Sequence, residues 1–515
     1  MSRAPSDYIF TLIHSLSTAE KRYFWTYATM GRIKRDVIYL QLFKAIDGQK
    51  SYDENELIKT VKQAKPHQLP NLKKHLTALI LESLRLYHSK GSVDAQLHSL
   101  LAEIEILFNR RHFTACDRLI AKARELAQQY EKHAFLLLLA DWEGKVLYLH
   151  TSFDNWEIKV DQLWSGKAVL SKQLVGISIY QQLHGQVAVI INKSGLRKNA
   201  LLVKKLLSIL RHPIMQKGPP ESFVEQYYYY SIQGFCYTGT SRFKKSYEVR
   251  KTLVEKFELN PFIIKDFFFG YLYAVHAFTG SCLDLGKEKE LSILSRKIPL
   301  LLDNPDYATR KNIAQLLGIC NPILHYYCLS GNFEKGIPLI EKYQFLIQKF
   351  KPEIRPTSQM IFNYVCAYIY FGTGDLRLAL SHLYKIINER NSEVRMDLQV
   401  AAQFIFLIVH FELGNVRELG LATKSIYRFL YKSKRVYKIE SLILDFINKK
   451  IAKLYSKKDW QQAFIELKSQ MEKHARDPFE KQLFEYFDFT LWLESKIGRK
   501  SFSMLMKEKW GKQMS

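Results

Sequence analysis

The chain has 515 residues, of which 47% are hydrophobic, 13% aromatic and 24% charged, so it can bury large cores. Only 23 glycines and 14 prolines occur, and alternating β-branched runs are scarce, which argues against sheets and favours helices. The net charge of +26 would attract nucleic acid, anionic lipid or an acidic protein. Its even spread along the chain is also typical of a soluble basic surface.

The six cysteines form no C-x-x-C pair, which excludes the usual zinc and redox signatures. Isolated cysteines on apolar helices indicate small buried residues and a reducing compartment. The N-terminus lacks the apolar core of a signal peptide, and no apolar run reaches the ~18 residues of a membrane span. We therefore expect a soluble, cytoplasmic protein without a membrane span.

Residues 1–92 differ in pattern from the rest and predict an N-terminal helical cap domain. Ser17 and Glu20 match a capping box, and Leu72–Tyr87 is predicted as a strong amphipathic helix. The alternative is a helix-turn-helix-like DNA reader. Its phosphate contacts would come from basic residues spread over these helices: Arg32, Lys34, Arg35, Lys73, Lys74 and Arg85.

From about residue 93 a helix–break–helix pattern recurs, and its clearest copy is Phe371–Leu380, FGTGDLRLAL. Each copy is anchored on the apolar residue that follows the break. The anchors recur roughly every 43 residues, and they are Phe113, Phe153, Leu196, Phe243, Leu283, Phe333, Leu376, Val416 and Trp460. Glycine two residues before the anchor, as at Gly331, Gly374 and Gly414, predicts a left-handed cap that ends the first helix.

The best copy also matches a known repeat. Ala367, Tyr370, Gly374, Leu376 and Ala379 fit the A-x-x-Y-x-x-x-G-x-[YL]-x-x-A core of the tetratricopeptide repeat. The chain resembles tetratricopeptide-like helical-repeat proteins over roughly residues 93–475, with units about nine residues longer than the family's. The resemblance implies an all-α fold, a right-handed superhelical solenoid of antiparallel helix hairpins, whose concave face docks partner segments. Residues 476–515 are predicted as C-terminal capping helices and a basic tail.

Dense aromatic stretches are the first candidate binding surface. They include Tyr227–Tyr230 and Phe267–Phe278, and four consecutive helical tyrosines cannot all be buried. If these stretches form an aromatic strip that binds a partner, the residues predicted to contact it are Tyr228, Tyr230, Tyr271 and Tyr273. The alternative interpretation is packing between repeats, with hydroxyls at the rim.

The second candidate surface is the tightest basic run of the chain. It comprises Arg428, Lys432, Lys434, Arg435 and Lys438, interleaved with tyrosines. Single-stranded nucleic acid is bound by cationic side chains that contact its phosphates and by aromatic rings that stack on its bases, and this run supplies both. The alternative is a solvent-exposed helix end, where lysines interact favourably with the negative C-terminal end of the helix dipole.

No catalytic or metal-binding motif is present in the sequence. It contains no H-E-x-x-H, G-x-S-x-G or P-loop pattern, and His184 and His276 stand alone as structural residues. We therefore expect no enzyme activity, cofactor, metal or small-molecule substrate. The sequence favours a scaffold that binds a protein or peptide, with an acidic segment suiting the charge. The alternative is a nucleic-acid-associated protein that uses the N-terminal helices or the Tyr427–Lys438 run.

Overall fold

The computed structural model describes residues 7–30, 37–61, 65–150, 156–194, 200–304, 307, 309, 312–350, 354–389, 395–432, 438–450, 456–474, 480, 484 and 486–514. These residues form helices and turns and contain no strand, so the predicted all-α class is confirmed. The chain divides into two compact units, residues 1–178 and 179–515. The boundaries predicted after residues 92 and 475 come from sequence patterns and stay predictions.

Unit 1 contains two groups of helices with separate apolar cores. The helices are α1 (Tyr8–Ser15), α2 (Thr18–Thr29), α3 (Val37–Asp47), α4 (Glu54–Thr60), α5 (Leu69–Tyr87), α6 (Val93–Asn109), α7 (Phe113–Gln129), α8 (His133–His150) and the first part of α9 (Trp156–Ser194). The predicted capping box starts α2, where the Glu20 N–H donates to Ser17 Oγ and the Ser17 N–H donates to Glu20 Oε2. On α5 the predicted apolar face is buried at Leu76, Leu79 and Ile80.

Unit 2 contains the end of α9 and a series of helix hairpins. Its further helices are α10 (Ala200–Leu210), α11 (Pro213–Gln216), α12 (Phe223–Gly239), α13 (Phe243–Glu258), α14 (Pro261–Asp266), α15 (Phe268–Asp284), α16 (Glu288–Asp303), α17 (Ile313–Leu329), α18 (Ile337–Lys349), α19 (Pro356–Thr373), α20 (Leu376–Ile387), α21 (Met396–Glu412), α22 (Val416–Lys432), α23 (Lys438–Asp445), α24 (Lys457–His474), α25 (Phe489–Ile497) and α26 (Phe502–Met514). A 3₁₀ turn, Phe333–Gly336, precedes α18, and a π turn, Phe446–Lys450, follows α23.

Five successive hairpins pair a first helix with a second: α12 with α13, α15 with α16, α17 with α18, α19 with α20, and α21 with α22. Helices α15, α17, α19 and α21 each pack against the first helix of the next or preceding hairpin. The predicted left-handed glycines are confirmed, with φ of 67° at Gly331, 89° at Gly374 and 68° at Gly414. Left-handed φ therefore ends the first helix at each of these turns.

Two parts of the predicted repeat register differ from the structure. Leu283 lies inside α15, because Gly280 and Ser281 continue the helix and the left-handed turn comes later, at Gly286. Anchors Phe153 and Leu196 lie outside the described residues, but a 43-residue unit between them requires two helices. The structure has one helix there, α9. Its isolated glycines, Gly166 and Gly185, are tolerated in the helix and supply no turn.

Small residues allow close packing where the pattern predicts it. A Cβ on Gly336 would lie 2.6 Å from Ile369 Cδ1, and Ala379 is completely buried. The six cysteines are buried and carry no disulfide, as expected of small core residues. In the part of the chain that the structure describes, none of the helices is long and apolar enough to cross a bilayer.

The end of the chain returns to the middle hairpins of unit 2. Helix α26 packs against α17 and α19, and Ser503 Oγ donates to the Gly331 carbonyl at 3.1 Å. Trp510 packs edge-on against Tyr326, with ring centroids 5.9 Å apart. The C-terminal segment, defined here as Tyr486–Trp510, is therefore part of the unit 2 core.

Candidate functional site

A cavity of about 520 Å³ lies in unit 2 beside the first helices of three successive hairpins. Its walls come from α15, α17 and α19, and it reaches the start of α21. Apolar side chains form much of the wall, among them Phe269, Leu272, Ile361 and Val365. Ligand sites in proteins have volumes of about 300–1,000 Å³ and combine apolar walls with a few polar groups, so this cavity has the size of a binding site.

The polar groups of the cavity come from five separate parts of the chain. They are Tyr273 and His276 on α15, Gln315, Asn321 and His325 on α17, Ser358 and Tyr364 on α19, the N-cap residues Arg355 and Arg395, and Tyr486. No aspartate or glutamate occurs among the described residues that line the cavity. The charge on its lining is therefore positive.

The two lining arginines differ in their partners. Arg395 forms a bidentate ion pair with Asp397, at 2.9 Å from Nη2 to Oδ2, and Tyr486 donates its hydroxyl to the same carboxylate. This pairing neutralises the Arg395 charge. The Arg355 side chain is exposed and makes no ion pair with a described residue. Among the described residues that line the cavity, Arg355 is therefore the cation without a carboxylate partner.

A third guanidinium, Arg250 on α13, is buried and lies near enough to Tyr273 and His276 for its charge to act on both. It donates to the Ala277 carbonyl at 3.0 Å and to Ser281 Oγ at 2.7 Å, and no described carboxylate is within ion-pair distance. A Cβ on Gly234 would lie 2.9 Å from Arg250 Nε, so glycine makes room for it. Burial lowers the pKa of Arg250 to about 10, which leaves it charged at neutral pH. Its field adds to the positive potential of the cavity.

Both cavity histidines are neutral at neutral pH. Burial lowers the pKa of His325 to about 4. The His276 ring is accessible from the cavity yet surrounded by protein atoms, and this burial lowers its pKa below the ordinary value. Its hydrogen bond to the Gly318 carbonyl opposes that shift, and the Arg250 charge reinforces it. Each neutral ring has one donor and one acceptor, and the His276 donor is already used by the Gly318 carbonyl.

Gln315 lines the cavity, but its Oε1 atom has almost no accessible surface. Its Oε1 atom is buried and has no hydrogen-bond partner among the described residues. A buried acceptor without a partner costs about 1–3 kcal/mol.

The C-terminal segment contributes Tyr486 to the cavity wall. The Tyr364 hydroxyl donates to the Tyr486 carbonyl at 2.9 Å, and Phe487 packs on Tyr368 with ring centroids 5.1 Å apart. Tyr368 and Tyr486 line this cavity and also a second one of about 510 Å³ beside Trp510. These two tyrosines therefore stand between the two spaces.

Of the four tyrosines predicted to bind a partner, Tyr273 lines the cavity, and so does Phe269 from the same aromatic stretch. Tyr271 is 2% exposed and lies in the core, where the packing interpretation places it, with its hydroxyl 3.5 Å from Glu258. Tyr228 and Tyr230 are half-buried elsewhere in unit 2, and Tyr228 accepts a hydrogen bond from Gln181. The binding roles of these four tyrosines stay predictions.

The basic candidates are only partly described. Arg428 on α22 and Lys438 at the start of α23 are exposed, whereas Lys434, Arg435 and the Lys432 side chain lie outside the described residues. The neighbouring Tyr427 donates its hydroxyl to Asp445 at 2.9 Å. This hydrogen bond holds the Tyr427 side chain against α23, which does not favour its stacking on a nucleic-acid base.

Some basic residues of the predicted DNA-reading helices also fall outside the described part, namely Arg32, Lys34 and Arg35. Lys73 pairs with Glu54 at 3.2 Å and donates to the Tyr52 hydroxyl. Lys74 and Arg85 are exposed on α5. The nucleic-acid alternative stays a prediction for both regions.

Sequence patterns missed most of the cavity. His276 was interpreted as a structural residue, and Arg355 lies in a proline-flanked break of the repeat pattern. No motif or periodicity in the sequence pointed to Gln315 or Arg395. Within the described residues, no group of three or more metal-ligating side chains could hold an ion. Comparisons with protein-family models, curated proteins and solved structures gave no match. The site is therefore interpreted from its own geometry.

Proposed function

We propose that this chain is a non-catalytic scaffold for protein–protein interaction in the cytoplasm. Its hairpins stack into a right-handed superhelical solenoid, similar to that of tetratricopeptide-like proteins, and a partner segment binds to the concave face. The packing of successive first helices against one another supports this arrangement. The net charge of +26 favours an acidic partner.

One observation carries this proposal: the first helices already hold a segment of the same chain. Helices α17 and α19 bind Tyr486–Trp510 through a main-chain acceptor and through aromatic side chains. A partner segment can use the same means on the part of this face that the chain leaves open. Binding energy then comes from a few anchors, among which Phe269 is 41% exposed on α15.

Replacing Phe269 with aspartate is expected to reduce capture of partner proteins from the source organism's lysate by about tenfold or more, because it removes an apolar anchor and repels an acidic segment. Leu378→Asp is the matched control, since Leu378 is 47% exposed but lies on α20, a second helix. The measurement is quantitative mass spectrometry of proteins retained on the immobilised full chain, after nuclease treatment.

Equal capture by the wild-type chain and both variants would contradict binding on the first helices. Capture that disappears with nuclease would favour the nucleic-acid alternative instead. In that case, retention of a random oligonucleotide would fall steeply between about 50 and 200 mM salt, because phosphate contacts release counterions.

A further inference from the structure

We propose that α26 is an autoinhibitory helix, which occupies a groove that an amphipathic helix of a partner protein takes over. The inference rests on the proposed scaffold function, because it names a partner segment and the way in which its access is regulated. The groove is defined here as the surface of α17, α19 and the Gly331 turn on which α26 packs. It is separate from the open part of the face, to which Phe269 belongs.

A single narrow stripe of side chains holds α26 in the groove. Phe502, Met506 and Trp510 are spaced by four residues and are 8%, 3% and 7% exposed. Between them, Met504 is 53% exposed and Lys507 faces solvent. Apolar anchors one helical turn apart are the means by which a separate amphipathic helix binds in a groove. Helix α26 therefore contacts the hairpins in the way that a bound helix of another protein would.

Aromatic rings of the groove receive the first and the last anchor. The centroid of the Phe502 ring lies 5.5 Å from that of Phe371 and 6.1 Å from that of Phe333. Trp510 packs on Tyr326 with centroids 5.9 Å apart. A few buried aromatic anchors of this kind supply most of the binding energy of an interface. The groove offers the same rings to any helix with matching anchors.

The fit of α26 to the groove is incomplete. A cavity of about 510 Å³ is lined both by Met506, Lys509 and Trp510 and by residues of the hairpins. The Trp510 Nε1–H is buried and has no hydrogen-bond acceptor among the described residues. Unfilled space and an unpaired buried donor both lower the stability of the docked state. A partner helix that fills this space and lacks the unpaired donor competes with α26.

The connection before α26 lets the helix leave while α25 stays in place. Residues 498–501 lie between the two helices, and all four are exposed. After release, α26 stays tethered to the chain at a high effective concentration. A partner helix must therefore bind more tightly than α26 or be abundant, which makes the tether a threshold for partner binding.

Charge indicates the chemistry of the partner helix. Lys509 of α26 forms an ion pair with Asp488, whose side chain is 12% exposed. The other oxygen of this carboxylate accepts the Leu491 N–H at 3.0 Å, which fixes its position. The occupant therefore carries large apolar residues at i, i+4 and i+8 and a Lys or Arg at i+7. A second copy of the chain would present such a helix, but two copies that each carry a net charge of +26 repel each other.

Peptide exchange on the full chain tests the inference. The probe is a fluorescein-labelled peptide of residues 499–515, and the protein carries a protease recognition sequence inserted after Lys500, in the exposed connection. After cleavage, α26 is held only by its contacts with the groove. We expect the cleaved chain to bind the probe with a Kd of about 100 µM or below in fluorescence anisotropy, and the uncleaved chain at least about tenfold more weakly, because the tethered helix competes.

Two methionines of the same helix supply matched peptide controls. A Met506→Asp peptide is expected to bind at least about tenfold more weakly, whereas a Met504→Asp peptide binds like the unmodified probe, since Met504 is exposed. On the protein, Gly331→Ala is expected to weaken probe binding to the cleaved chain at least about fivefold, because the added Cβ meets the helix backbone. Gly414→Ala, where the Cβ meets no atom, leaves it unchanged.

Met506→Asp in the uncleaved chain tests the autoinhibition. The substitution releases α26 and is expected to raise probe binding to the level of the cleaved chain. Circular dichroism shows whether the variant is folded. If it is not, the comparison of cleaved and uncleaved wild-type chain decides.

Three results would overturn the inference: no probe binding by the cleaved chain at about 1 mM, equal binding by the cleaved and uncleaved chains, or equal binding of the two methionine peptides. A dimer of the uncleaved chain in light scattering, dissociated by the probe, would make a second copy the occupant and would also overturn it. Phe269→Asp lies outside the groove and leaves probe binding unchanged. If the probe does not bind but Phe269→Asp still reduces partner capture, the scaffold proposal stands and only the inference about α26 fails.

Discussion

Gly331→Ala is expected to destabilise unit 2 by about 2–5 kcal/mol, clearly more than Gly414→Ala. Both glycines are left-handed, with φ of 67° and 68°, so both substitutions cost about 1–2 kcal/mol of backbone strain. Only Gly331 is crowded: a Cβ there would lie 2.8 Å from the Lys507 nitrogen and from the Ser503 carbonyl oxygen of α26. Forcing these backbones apart adds about 1–3 kcal/mol.

Urea titration followed by circular dichroism measures the difference between the two variants. A Cβ on Gly414 meets no atom within 4 Å, which makes Gly414→Ala the matched control for strain alone. Hydrogen exchange of residues 502–514 gives a second, local result. We expect faster exchange there in Gly331→Ala and unchanged exchange in Gly414→Ala. Equal destabilisation and equal exchange would mean that α26 does not pack on the Gly331 turn.

The helical architecture could be predicted because its signals are local. The capping box at Ser17 and Glu20 and the left-handed turns at Gly331, Gly374 and Gly414 each depend on residues close in sequence. Where local signals are ambiguous, prediction failed. In the Phe371–Leu380 copy, the break begins only at Gly374, because α19 continues through Gly372 and Thr373. Gly372 is small because the Phe333 ring packs directly on it.

The cavity could not be predicted because its residues are distant in sequence. Its walls run from Phe269 to Leu398, and Tyr486 comes from the far end of the chain. No periodic pattern reports that Arg355 lacks an ion-pair partner among the described residues, or that Gln315 Oε1 is unpaired among them. These properties arise only when three hairpins stack and the C-terminal segment folds back. Repeat patterns identify the hairpins and carry no information on what lies between them.

Lowering the pH from 7.5 to 5.0 is expected to remove about 2 kcal/mol of stability through His382 alone. This side chain is 2% exposed and joins three helices. Its Nδ1–H donates to Asn363 Oδ1 on α19 at 2.9 Å, and its Nε2 accepts from Gln344 Nε2 on α18 at 3.0 Å. We assign this tautomer from the partners' donor and acceptor atoms. The network satisfies the neutral ring and opposes a second proton.

The direction of the pH effect follows from the lowered pKa. Burial, reinforced by the Lys385 charge, lowers the pKa of His382 in the folded state to about 4, against an ordinary value of 6.5. Between these values the unfolded chain binds a proton that the folded chain does not. The contribution of His382 is therefore fully present above about pH 6.5 and is lost as the pH falls towards 4. Buried His325, whose pKa is also about 4, acts in the same direction.

Urea titrations of the wild-type chain and of His382→Asn at pH 7.5 and 5.0 measure this contribution. Asparagine removes the titrating group, so the variant should lose about 2 kcal/mol less than the wild type over this interval, whatever its stability at pH 7.5. His474→Asn, at the end of α24, is the matched control. If wild type and His382→Asn lose equal stability, the ring takes up its proton in the folded state. The junction of α18, α19 and α20 would then have to accommodate the imidazolium, for example by a flip of the Gln344 amide.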